Sequence, residues 1–271
     1  MPSEVTPIKK VNDMRDKYKE LVKLLQDFGA NFRTSEIFRD FVELSAIAIM
    51  NQYAFDADWD KRENRYHEIR KKYQECDFNR FPELVAVLVD TIHSQKEQGY
   101  FVDVLGQLYM DLNLGNAANG QYFTPYHVCQ LMSALVTQDL GEKLKTEKFV
   151  TVLEPACGSG ANLIAFAESV QSHGYTPAKR MAAVGVDIDA LCVWMCYLQC
   201  QLYRIPAKIV HGNSLTHEFW SAWCTSDWVH GGYAQAMAER ILDSKNEPAT
   251  EAGTGAMPPK LLTLEEQLVL F

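Results

Sequence analysis

The chain has 271 residues and a formal charge of −9, long enough for one large core or for one core with a helical annex. The acidic balance excludes broad electrostatic adhesion to nucleic acid, so any phosphate contact needs a local basic face. No apolar run approaches the roughly 20 residues of a membrane span, the N-terminus lacks a signal-peptide pattern, and the seven scattered cysteines hold no CxxC pair. A reducing cytoplasm is the expected setting.

Residues 1–113 are expected to form helix after helix. Val11, Met14, Tyr18, Leu21, Val22 and Leu25 recur at helical spacing, predicting a helix over Val11–Phe28. Ser35 is a candidate cap for a second helix running to about Phe55. Asp58–Cys76 is a charged helix whose basic stretch, Lys61–Lys72, is interleaved with acids; it reads as a solvated face held by ion pairs. Phe81–Ser94, with Pro82 near its start, and Phe101–Leu114 close the series. Gly115–Pro125 (GNAANGQYFTP) is an irregular loop. Its Tyr122, Phe123 and Thr124 either pack or lay a ring and a hydroxyl against a ligand. Tyr126–Leu140 returns to helix.

The organising stretch is Thr151–Asn162, TVLEPACGSGAN. An apolar run, Phe149–Leu153, leads through Glu154 into a small-residue turn and then a helix, Leu163–Val170. This is the opening strand–turn–helix unit of a nucleotide-binding α/β fold. A second strand, Ala182–Ile188, ends in Asp187, 27 positions past Gly160, where a ribose-hydroxyl partner is expected. Asp189 is placed to cap the helix Leu191–Tyr203. Cys192, Cys196 and Cys200 share one face of that helix, either as a metal site or as small apolar residues on a sheet. Ala207–Val210 makes a third strand ending in His211-Gly212-Asn213-Ser214. Strands alternating with helices imply a parallel sheet, with ligand at the C-terminal ends where Glu154, Asp187 and Asn213 lie. No fourth strand is expected between Leu215 and Ile241, and Glu218–Leu242 reads as aromatic helix and turn. A nicotinamide site is disfavoured, because Leu163 occupies the third position of the G-x-G-x-x-G/A pattern.

Four pieces stand in order: DVLGQLYMDL with GQYFTP, LEPACGSGAN, GVDIDA and HGNSL. Over roughly residues 100–215 they resemble the modification subunits of type I restriction systems, within the adenine-N6 DNA methyltransferases. The resemblance implies an α/β fold in which an N-terminal helical region precedes a Rossmann-like, class I methyltransferase sheet. It also implies an S-adenosylmethionine pocket with DNA as substrate. That pocket would run over Tyr122, Phe123, Thr124, Glu154, Pro155, Gly158, Gly160, Asn162, Asp187, Ile188, Asn213 and Ser214. Thr124 would face the methionine moiety, Gly158 and Gly160 would let the cofactor lie on the turn, and Asp187 would hold the ribose hydroxyls. Asn213 stands where the family usually has an acid that reads the adenine amino group. The Asn/Asp-Pro-Pro-aromatic motif that holds the target base is absent: the one Pro-Pro, Pro258-Pro259, sits between Met257 and Lys260. Ser226-Asp227-Trp228 is at most a remnant of it.

The expected organisation is a helical region 1–113, a partial methyltransferase-like domain 114–242, a flexible linker 243–260 and a terminal peptide 261–271. A sheet truncated after its cofactor half leaves its first strand as an edge, to be covered by Glu218–Leu242 or by a second subunit. The end, Leu261–Phe271, is either a short helix docking through Leu264, Leu268 and Phe271 or a peptide for a partner. Gln267, Leu268, Leu270 and Phe271 resemble the QLxLF peptide that binds the bacterial sliding clamp; those four letters recur by chance on the order of once in 10⁴–10⁵ positions. Three functions follow as expectations: a cofactor-binding protein that does not itself methylate, an adenine methyltransferase completed by a partner, and a non-enzymatic interaction protein. For the last, the mark is a pocket filled by side chains beside Gly158 and Gly160.

Overall fold

The structure, a computed structural model, describes residues 7–28, 32–114 and 123–246, with side chains from Arg15 to Arg240. The chain begins with α1 (Pro7–Gln26), α2 (Thr34–Met50), α3 (Trp59–Arg70), α4 (Glu75–Phe78), α5 (Arg80–Glu97) and α6 (Val104–Asp111). Ser35 lies inside α2 rather than capping it; the chain enters the helix two residues earlier, with Arg33 in the cap position and no side-chain cap bond. The helix also stops at Met50, short of Phe55. The expected charged helix is broken between Arg70 and Glu75. Its cations are largely used within the fold. Arg62 is buried and donates to Asn51 Oδ1, Ala54 O and Asp56 Oδ2, while Arg65 grips Glu43 and Lys72 grips Asp40.

Helices α7 (Tyr126–Val136) and α8 (Leu140–Thr146) replace the single helix expected over 126–140. After them come β1 (Val150–Glu154), α9 (Ala161–Ser172), α10 (Pro177–Arg180), β2 (Met181–Asp187), α11 (Ala190–Tyr203) and β3 (Ala207–Asn213). Then, against expectation, comes a fourth strand, β4 (Glu218–Cys224), before α12 (Ser226–His230) and α13 (Tyr233–Asn246). The sheet order is β1-β2-β3-β4. β1–β2 and β2–β3 are parallel, whereas β4 returns antiparallel on β3. EFWSAWC alternates its faces as a strand does: Trp223 enters the core on the α11 side and Ala222 the cluster on the other.

One face of the sheet shares a single apolar cluster with the helical region, from Leu21 and Phe41 through Tyr197 to Trp223. Polar contacts cross the same seam. Tyr53 and Tyr197 hydroxyls meet at 2.6 Å, and Tyr53 donates to Cys224 O; Tyr203 stacks on Phe101 and donates to Val102 O. The change at residue 113 is therefore a change of secondary structure, not of core. The other face carries Phe149, Ala182, Val184, Val186 and Val210, covered by Trp228, Tyr233 and Met237.

Two expectations about the C-terminal third are corrected. Glu218–Leu242 does not pair with β1: its strand extends the opposite edge of the sheet and its helices cover a face. On the β1 side, Arg240 donates to Phe149 O and Glu147, and Tyr233 packs its ring against Phe149. Among the described residues no strand pairs with the outer edge of β1. Helix α13 also runs to Asn246, into the stretch expected to be linker from residue 243.

Trp228 is 3% exposed and Trp220 is 50% exposed, so the two test this arrangement against each other. Trp228→Ala is expected to lower the unfolding free energy by about 3–5 kcal/mol and Trp220→Ala by less than about 1 kcal/mol, measured by urea denaturation.

Candidate functional site: an acidic pocket at the glycine turn

β1 ends at Glu154, and the chain folds back through Pro155–Gly160 into α9. Cys157 N donates to Val186 O, tying the turn to the neighbouring strand. Gly158 (φ +52°) and Gly160 (φ +102°) both take the left-handed conformation that disfavours a side chain. The space beside each is already filled. A Cβ at Gly158 would stand 3.2 Å from the Phe123 ring, and one at Gly160 would stand 3.1 Å from Cys196 Sγ. Gly160 thus makes room for α11, and it is not among the residues that wall the cavity beside the turn. The same contact makes Cys196 a packing residue of the turn. Among the described residues no group of three or more His, Cys, Asp or Glu side chains is placed to hold a metal.

Asp187, at the tip of β2, points at the turn. Its Oδ2 accepts from Gly158 N (2.8 Å) and its Oδ1 from Asp189 N (2.9 Å). Each oxygen keeps a further lone pair for a ligand donor. Burial raises the Asp187 pKa, and the N–H bonds from Asp189 and Gly158 work against that rise. Asp189 caps α11, accepting from Leu191 N. Glu154 Oε1 accepts from Ala156 N and Oε2 from Asn162 Nδ2 (2.8 Å). Asn162 Oδ1 is buried with no donor among the described residues.

Between these groups lies a cavity of ≈ 240 Å³ walled by Phe123, Thr124, Ala156–Ser159, Ala161, Asn162, Asp187, Ile188, Cys129 and Cys192. The side chains that fill the space beside the two glycines thus leave a pocket beyond them. Its walls carry a carboxylate and, among the described residues, no Lys, Arg or His. Cys129 and Cys192 face it as neutral thiols: burial raises both, to about 11 for Cys129. Such a lining suits a ligand with positive charge and hydrogen-bond donors, and S-adenosylmethionine, with its sulfonium and ammonium groups, is of that kind. Ile188 (61% exposed) and Leu215 (92% exposed) present bare apolar side chains at the adjoining strand ends.

The structure brings Phe123, Thr124, Gly158, Asn162, Asp187 and Ile188 together in the walls, with Glu154 behind them. Pro155 is in the exposed bend, and Tyr122 lies outside the described residues. Asn213 and Ser214 are not in the walls. The Asn213 carbonyl accepts from both Leu215 N (2.9 Å) and Thr216 N (3.2 Å), which uses its acceptor capacity and removes the expected grip on an amino group. Ser226–Trp228 is structural, since Asp227 pairs with Arg204 and Trp228 is buried.

Asp103, which sequence reasoning passed over, supports the turn from behind. It is buried, and its carboxyl accepts from Gly106 N (2.9 Å), Gln199 Nε2 (2.7 Å) and Ser159 Oγ. Gln199 Nε2 also donates to Ser159 O, and its Oε1 accepts from Leu105 N. Gly106 leaves room for this: a Cβ there would lie 2.1 Å from Asp103 Oδ2.

The mostly parallel sheet, the glycine turn and the carboxylate on the next strand define an α/β protein with a pocket at its strand ends. The chain belongs to the N-6 DNA methylase family, whose model matches residues 100–238, half of its length. The methyl donor this family implies is S-adenosylmethionine. No match was found among curated proteins. Among solved structures, a class I S-adenosylmethionine-dependent methyltransferase of Listeria monocytogenes aligns over 72% of this chain and 53% of its own, at 14% identity and a TM-score of 0.37. The methyltransferase subunit of a type I restriction-modification system of Streptococcus thermophilus aligns over 75% and 59%, at 12% identity and a TM-score of 0.39. The chain thus spans little more than half the length of either structure.

Burial raises the Asp103 pKa more than its three hydrogen bonds lower it. A carboxyl raised in the folded state stabilises it below the ordinary value near about 4, and that contribution is lost as pH rises through the raised value. An asparagine at 103 can accept from Gly106 and Gln199 and donate to Ser159 Oγ without titrating. Asp103→Asn is therefore expected to gain stability over the native chain as pH rises from about 4 to about 8. Asp103→Ala, leaving the donors unmatched, is expected to lose roughly 2–4 kcal/mol at both. Urea denaturation at the two pH values measures this.

Proposed function

We propose that this chain binds S-adenosylmethionine in the cavity beside Gly158 and Asp187, and that it does not transfer the methyl group by itself. The observation that carries the reading is the pocket lining, which among the described residues holds the Asp187 carboxylate and no basic side chain. Asp187 accepts the ribose hydroxyls on its free lone pairs, and its hold on Gly158 N keeps the turn from shifting. The Asn162 amide, bonded to Glu154, fixes one wall of the pocket. Phe123 and the two neutral thiols supply the apolar wall. When bound, the cofactor supplies an electrophilic methyl group; what this chain does not supply is the base-holding Asn/Asp-Pro-Pro-aromatic sequence.

The chain then acts as a sensor or accessory in DNA modification or restriction-related processes. Gln267–Phe271, which lie outside the described residues, tether it to the bacterial sliding clamp. A second reading is favoured by one observation, the strandless outer edge of β1 among the described residues. There a partner subunit adds the target-base half and makes an active adenine methyltransferase that acts on DNA.

Calorimetry with S-adenosylmethionine tests the main reading. The native chain is expected to release heat and saturate at one site. Asp187→Asn, which removes a charge-assisted acceptor, is expected to weaken binding by roughly 10–100-fold. No heat from the native chain removes the reading. Transfer of labelled methyl to DNA by the purified chain alone would remove its second half.

A further inference from the structure

A second cavity opens on the other side of the β2–α11 loop, where α2 and α3 meet α11, β3 and β4. Its volume is ≈ 170 Å³. Ile188 stands between the two cavities: it lines the first, and its carbonyl meets His211 Nε2 (3.2 Å), in the wall of the second. Both cavities lie at the carboxyl ends of parallel strands, where open α/β sheets take their ligands. The second also lies between the helical region and the sheet, the kind of junction at which small-molecule pockets form.

Rings dominate its lining. Trp194 and Trp223 stand edge to face with centroids 6.3 Å apart, and His211 lies 4.7 Å from Trp220, which is 50% exposed. Arg39 covers the Trp194 ring, 5.4 Å from its centroid, and is not part of the wall. The charges in the wall are balanced. Arg65 holds Glu43 through two bonds (2.7 and 3.0 Å), Arg62 holds Asp56 (2.9 Å), and Lys61 and Asp58 are exposed with opposite signs. What remains is neutral hydrogen-bonding capacity. In the neutral His211 ring Nε2 carries the proton, because Ile188 O can only accept, and Nδ1 is left as an acceptor. Ser221 offers a hydroxyl. Arg65 spends three of its five N–H groups on Glu43 and Glu68 and keeps the others.

We infer that this cavity binds a nucleobase. A base is planar and uncharged, apolar on its faces and set with donors and acceptors along its edge. That is the complement of aromatic walls with balanced charge and spare hydrogen-bonding groups. A purely aliphatic ligand would leave those groups unmatched, and a multiply charged one would find the buried charges already paired. The base comes from a free nucleoside or from a single strand, which present the same face and edge. The inference does not depend on the cofactor reading.

Equilibrium dialysis of the full chain tests it, against radiolabelled adenosine and against a labelled single-stranded deoxyadenosine hexamer. The native chain is expected to bind at least one of them at concentrations up to about 1 mM. Trp194→Ala is expected to weaken that binding by roughly 5–150-fold, and Trp194→Phe, which keeps a ring, by less than about fivefold. Ser221→Trp, which fills the cavity from the edge strand and leaves Trp194 in place, is expected to abolish it, and Asp187→Asn to leave it unchanged. Adenosine binding with this pattern assigns a free nucleoside to the cavity; the pattern with the hexamer alone assigns the base of a strand. No binding of either probe overturns the inference, as does binding that survives both Trp194→Ala and Ser221→Trp. Adenosine binding that is lost in Asp187→Asn places the nucleoside in the first cavity and overturns it too.

Discussion

A buried carboxyl on the first turn of a helix holds this molecule's working end in place. Asp103 lies behind the glycine turn, among Gly106 N–H, the Gln199 amide and the Ser159 hydroxyl. These partners belong to three separate pieces of chain: helix α6, the helix after β2 and the turn itself. A buried polar group is tolerated only when fully satisfied, and a satisfied one fixes the geometry of its partners, because each alternative leaves a donor or acceptor unmatched. The network explains why the helical region and the sheet share one core. Their apolar contacts bring the two together, and Asp103 with Gln199 sets the register.

In front of the turn the logic is electrostatic. Asp187 is held by two backbone N–H groups, Glu154 by one N–H and the Asn162 amide, and among the described residues nothing cationic stands in the pocket walls. Both carboxylates stiffen the turn, and Asp187 is the one that stands in the cavity wall. Family membership implies a sulfonium methyl donor.

The parts governed by local rules were legible in the sequence. The TVLEPACGSGAN turn, Asp187 at the second strand tip and Asp189 as a cap are each set by spacing within a few residues, and the structure places them as expected. The strand β4 was not legible, because EFWSAWC reads as aromatic helix until its alternation is weighed against a returning hairpin. That hairpin has Asn213 folding its side chain over Leu215 N and Thr216 N, which also removes Asn213 from the pocket. The Asp103 network was illegible for a different reason: its members lie 56 and 96 positions apart, a pairing no periodicity encodes. Gly160 has a packing role that spacing does not reveal, since its missing side chain makes room for Cys196 of α11.

A double-mutant cycle on Asp103→Ala and Ser159→Ala, read as unfolding free energy in urea, tests the central claim directly. If the carboxyl couples the helical region to the turn, the two losses fail to add by more than about 1 kcal/mol. Losses that sum to within about 0.3–0.5 kcal/mol would show that the turn stands without it.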